Sequence, residues 1–145
     1  MNNIEIAKID GGIAQAVRVV ARADAVIANA QSKKFPYSGL DHSTRIFCAI
    51  LAAQARELAE RATKQVGLTL KDAQSDDRAA AIEAFFSDSA AHVDTNFVAM
   101  ATARIAAQDA LTKMAIDIVN RAELVLDGEQ TIDGREIVHG DLWYK

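Results

Sequence analysis

From Asp94 to Asp127 the chain runs without a glycine or a proline, and no other stretch limits the fold as much. Asp94 or Thr95 offers a start cap and Gly128 a stop, the punctuation of a long helix. Two apolar stripes recur at helical spacing inside it. One is Met100, Ala107, Leu111, Met114, Ile118 and Val125; the other is Phe97, Ala101, Ile105, Ala115, Val119 and Ala122. Two stripes predict a helix packed on more than one side. The remaining side carries Asp109, Lys113, Asp117 and Arg121, charges of alternating sign four residues apart, which read as a solvated face.

The rest of the chain reads as helices of the same kind. Ile13, Ala16, Val20, Ala23, Ile27 and Ala30 predict a helix over 12–31 whose seam alternates large and small residues, suited to a close helix neighbour. Ahead of it, Gly11-Gly12 is expected to end a short arm over 2–10, strand or irregular, although Ile6, Ile9 and Ile13 also fit a helix. Residues 32–43, with Pro36 and Gly39, predict a loop. Asp41 or Ser43 then caps a helix from His42 to about Val66. Its run from Ile46 to Ala53 is wholly apolar, which predicts burial on all sides. Gly67 ends it, and 67–77 reads as a connection. Ser75 caps a shorter helix from Asp76 to Phe86 or His92, with a break expected within 87–95. After Asp127 the glycines Gly128, Gly134 and Gly140 mark turns. Asp133-Gly134 predicts a type I′ hairpin with strands near 129–132 and 135–139.

Charge enters through its placement. The net charge is −4, and it lies wholly in the segment after Ala122. This is not the basic footprint of a nucleic-acid binder. No apolar run approaches the ~20 residues that span a bilayer, no signal peptide is read at the N-terminus, and the single cysteine, Cys48, forms no internal disulfide. A cytoplasmic protein, or a particle assembled there, is expected.

Candidate chemistry is sparse. Asp41-His42-Ser43 holds the residue types of a hydrolase triad, but neighbours entering a helix point apart, and a triad is built across a fold; a helix cap is the simpler reading. Lys33, Lys34, Tyr37, Ser43 and Arg45 surround a helix N-terminus that suits an anion or nucleotide. They are the candidate ligand-binding residues. His42, His92 and His139 are the only histidines, and Asp88 with His92 falls short of a metal set, so no metal and no cofactor are expected. Glu57-Leu58-Ala59-Glu60 matches half of the acidic motif of all-α nucleotide pyrophosphohydrolases. The second half, Glu-x-x-Asp, occurs nowhere in the chain, so those glutamates are read as an ion-pair face. Leu142, Trp143 and Tyr144 close the chain and are the candidate interface residues, since aromatics anchor protein contacts.

Together these predict an all-α protein: an elongated, mainly antiparallel four-helix bundle over 1–128 and a hairpin arm over 129–145. The function expected is a non-enzymatic assembly or interaction protein acting as a homo-oligomer, such as a viral structural or mobile-element accessory component. Its partners are itself and another protein, with no nucleic acid and no membrane. The alternative is a small all-α module that binds an anionic ligand or nucleotide at the 33–45 loop.

Overall fold

A computed structural model of the protein describes residues 3–91 and 97–137. They form five α-helices: α1 (Asn3–Gln31), α2 (His42–Lys64), α3 (Leu70–Ala73), α4 (Arg78–Ala91) and α5 (Phe97–Leu126). The all-α class expected from the periodicity is what the chain adopts. No helix among the described residues is long and apolar enough to cross a membrane.

The glycine pair does not end an arm; α1 runs straight through Gly11-Gly12. Each mid-helix glycine costs about 1 kcal/mol against alanine. Burial of Ile6, Ile9 and Ile13 on the seam of Ala16, Val20 and Ala23 offsets that cost, because a buried isoleucine contributes roughly 1.5–3 kcal/mol. Gly12 has a second reason to be glycine: a Cβ there would lie 2.8 Å from Nε2 of Gln108 on α5.

The helix ends follow the local chemistry. Asp41 caps α2, its Oδ1 accepting from the Thr44 amide at 2.7 Å. Gly67 ends α2 with φ +78, and Leu68 N–H reaches back to the Thr63 carbonyl at 3.1 Å. Gly128 repeats the device after α5, with φ +77 and a bond of 2.8 Å from Glu129 N–H to the Leu124 carbonyl. Both are six-to-one closures that need a left-handed residue. The connection after Gly67 holds one more helical turn than expected, α3, capped by Thr69 Oγ1. Helix α4 continues past Ser87-Asp88-Ser89 to Ala91; the break expected nearby and the caps Asp94 and Thr95 fall on or beside 92–96, outside the described residues.

Side-chain pairs fix the directions. Arg22 on α1 binds Glu123 on α5, as Gly12 meets Gln108, so α1 and α5 run parallel. Asp24 meets Arg56 at 2.9 Å and Ala30 meets Arg45, so α2 runs against α1. Phe47 lies under Arg121 and Arg104 donates to the Gln65 carbonyl, so α2 also runs against α5. The body is therefore three long helices, with α4 packed at one end through Ile82, Phe86 and an Arg78–Asp10 ion pair. This corrects the expected four-helix bundle to three long helices, of which α2 runs against both of the others while α1 and α5 run parallel. After α2 the chain has returned to the end where α1 began. Helices α3 and α4 stay at that end, so α5 must leave from it alongside α1.

Two core clusters result. One, along the greater length of the bundle, includes Ala16, Ala23, Ala52, Ala55, Ala59, Ala62, Ala115 and Ala122. The other, at the α4 end, is built from Ile9, Ile13, Val66, Leu68, Ile82 and Phe86.

The described part of the C-terminal segment, up to Ile137, contains no strand; a single antiparallel bridge joins Gln130 and Glu136. Nor is its turn the type I′ expected. Only Gly134 has positive φ. Gly134 N–H bonds to the Thr131 carbonyl at 3.0 Å and Thr131 N–H to the Arg135 carbonyl at 2.9 Å, the pattern of a three-residue loop closed by a left-handed glycine. Arg121 Nη2 holds the loop to α5 by donating to the Ile132 carbonyl at 2.7 Å.

Candidate functional site

Of the candidate anion-binding residues, Lys33, Lys34 and Tyr37 lie in the loop between α1 and α2, and Ser43 and Arg45 on the start of α2. Arg45, half-buried on the first turn of α2, donates to four carbonyls: Leu40 at 3.1 Å, Ala30 at 2.9 Å, Ser32 at 2.8 Å and Tyr37 at 2.6 Å. Two of these belong to the C-terminal end of α1 and its continuation, where carbonyls lack intrahelical partners. Arg45 thus fastens the end of α1, the loop and the start of α2 together. Tyr37 is half-buried, and its hydroxyl accepts from Asn29 Nδ2 at 3.4 Å. Lys33, Lys34 and Ser43 are exposed, and Phe35 projects with 91% of its surface in solvent. Asp41 already caps the amide of Thr44, and that bond holds its carboxyl below the usual range. The loop therefore brings Arg45 and Tyr37 together as a fastening and leaves the two lysines pointing away.

The outer side of α2 departs from expectation. The run from Ile46 to Ala53 is not buried on all sides: Cys48 and Ala52 are in the core, while Ile46 and Ile50 are 44% and 52% exposed and Ala53 is exposed as well. The core side is lined by small residues, and among the described residues nothing covers the opposite side. Beyond the run the same outer face continues as Glu57 and Arg61, both exposed. Beside it, Phe47 is covered by Arg121, whose guanidinium carbon is 5.2 Å from the ring centroid, and Met114 on α5 is 51% exposed.

A third feature is a groove of about 420 Å³ between α1 and α5, lined among others by Lys8, Ile9, Gly12, Ile105, Gln108 and Lys113. Gln108 on its floor belongs to a buried polar pair that the stripe reading missed. Gln108 and Thr112 are 3% and 2% exposed; Gln108 Nε2 donates to Thr112 Oγ1 at 2.9 Å, which donates to the Gln108 carbonyl at 2.8 Å. The signal was available: Gln108 falls seven residues from both Ala101 and Ala115, in the middle of the core stripe. At the lip, Lys113 pairs with Asp109 at 2.8 Å. These polar groups bond to one another.

Elsewhere the chemistry is subdued. Burial pushes the Cys48 thiol up to about 11, with the Asp127 carboxylate adding to the effect, so it is a poor nucleophile. The Asp127 carboxyl is itself raised, by desolvation and then by Glu123 and Glu129. Among the described residues no three His, Cys, Asp or Glu side chains converge as metal ligands. Leu142, Trp143, Tyr144, His92 and His139 lie outside the described residues. No protein family model, curated protein or solved structure matches the chain.

Proposed function

We propose that the protein is a non-enzymatic assembly or interaction protein that works as a homo-oligomer. The observation that supports this reading is the outer side of α2, where Ile46 and Ile50 stand about half in water on a rigid, well-packed helix. Single exposed apolar residues are ordinary; apolar residues grouped on one face of one element are the kind of surface that protein contacts use. Sedimentation or light scattering over a wide concentration range tests it. The expected mass is a multiple of the 15.6 kDa chain, and a monomer throughout would overturn the reading.

A second reading, binding of a small anion or nucleotide at the 33–45 loop, draws on the exposed Lys33 and Lys34 beside the solvent-facing Phe35. A thermal-shift screen against phosphates and nucleotides tests it, with stabilisation that is lost in Lys33→Ala/Lys34→Ala as the expected result.

A further inference from the structure

We infer that α2 pairs with α2 of a second copy of this chain, outer side to outer side and antiparallel, about a two-fold axis near Ile50. The inference rests on the homo-oligomer reading and adds the surface and the orientation.

Shape gives the first argument. Ile46, Ile50 and Ala53 follow one another at spacings of four and three on the outer side, with Ala49 at its edge. Large and small residues alternate. Reversing the stripe about its middle sets Ile46 of one chain over Ala53 of the other, so a projecting side chain meets a shallow one at each end. A two-fold contact requires this self-complementarity, since the same surface serves both partners.

Charge gives the second, independent argument. In chain order the exposed titratable groups of α2 and its cap are Asp41 and His42 before the apolar stripe, and Glu57, Arg61 and Lys64 after it. In an antiparallel pair, Asp41 comes to Arg61 of the second copy and His42 to Glu57 of the second copy. In a parallel pair, Glu57 would meet Glu57 and Arg61 would meet Arg61. Like charges set opposite each other disfavour an arrangement, and opposite ones at the rim guide approach and fix register. The N-terminal end of α2 also carries the positive end of the helix dipole, which suits the arrival of Glu57. The pairing therefore has an apolar centre and a charge-matched rim.

Two measurements decide the matter. The first is the mass of the full chain and of Ile50→Glu in solution, with circular dichroism to confirm unchanged helix content. A carboxylate at the centre of the contact is expected to weaken association about 30-fold or more, the scale of an interface hot spot. Because Ile50 is half-exposed in the single chain, the fold should survive. If Ile50→Glu loses helix, Ala53→Lys at the edge of the same stripe replaces it in the same measurement. The second is disulfide trapping in a Cys48→Ala background, mixing chains that carry His42→Cys with chains that carry Glu57→Cys. The expected product is the mixed disulfide between the two variants. A wild-type chain that is monomeric overturns the pairing together with the homo-oligomer reading. A wild-type oligomer that Ile50→Glu and Ala53→Lys leave intact overturns the pairing alone, and trapping only between identical variants overturns the antiparallel orientation.

Discussion

The two ends of the bundle solve the same burial problem with different residues. Over most of its length three helices meet mainly through alanine and valine, with Ala23, Ala52, Ala59, Ala115 and Val119 all fully buried. At the α4 end the core is Ile9, Ile13, Leu68, Ile82 and Phe86, and four helices contribute to it. Small side chains let helix axes approach closely, so three helices exclude water without a fourth layer. At the other end the larger side chains of α1 and of the α2–α3 connection are covered by Ile82 and Phe86 of α4. Among the described residues, Ile46 and Ile50 on the outer side of α2 stay exposed where the core beneath them is Cys48 and Ala52. Residue size in the core thus sets how many elements are needed around it, and so which surface is left over.

That comparison predicts opposite sensitivities. The largest effect belongs to the wide end. Phe86→Ala is expected to lose about 3–5 kcal/mol, because the transfer term and the cavity term add; urea denaturation measures it, and a loss under about 1 kcal/mol would mean that α4 is not needed to close this end. The narrow end should instead resist enlargement. Ala23→Leu is expected to cost about 1–3 kcal/mol through overpacking, read as a lower urea midpoint. An unchanged midpoint would show that the helices there are loose enough to part, and the contrast between the ends would fail.

Smaller still is the effect of the glycine pair in α1. Nothing lies within 4 Å of a Cβ on Gly11, so Gly11→Ala should stabilise by about 0.5–1 kcal/mol through helix propensity. Gly12→Ala gains the same propensity but displaces the Gln108 amide from its bond to Thr112, and should fall short of Gly11→Ala by about 1 kcal/mol. Equal midpoints for the two variants would mean that Gln108 is free to move away. A further effect is one of pH. The folded Cys48 thiol is raised to about 11, above its unfolded value, so its contribution is fully present below about pH 9 and is lost as pH rises towards 11. Stability should decline more steeply over that window in the wild type than in Cys48→Ala, as followed by denaturant midpoints; parallel slopes would show that the thiol is not desolvated.

The sequence carried the helices better than their arrangement. The 3–4 spacing of Ile13, Ala16, Val20 and Ala23 is a local signal, and it marked a face that is buried. Gly67 and Gly128 marked helix ends because a left-handed residue is a local requirement. What failed depended on neighbours. Gly11-Gly12 reads as a break until Gln108 is known to press on Gly12. The run from Ile46 to Ala53 reads as fully buried because counting apolar residues cannot tell an alanine-lined side that packs from an isoleucine-bearing side that does not. Asp133-Gly134 signalled a turn correctly, but the turn type depends on which residues take positive φ, and here only Gly134 does. The parallel course of α1 and α5 left no trace in periodicity, since a helix has the same pattern read in either direction. At the candidate loop, residue types alone placed Lys33, Lys34 and Arg45 in one group. Their separation into two outward lysines and one inward arginine is set by the unpaired carbonyls at the end of α1.

The parallel course of α1 and α5 also bears on how the chain can be rewired. In many small domains the first and last residues lie near each other, which is why their chains can be joined and reopened elsewhere. Here α1 starts at the α4 end, whereas Ile137 lies beyond the far end of α5, beside Glu129, whose carbonyl accepts from its amide at 2.9 Å. The two points are separated by roughly the length of α1, about 44 Å at 1.5 Å per residue. Spanning that distance takes at least ~13 extended residues. A label at each point would form a molecular ruler along the bundle axis.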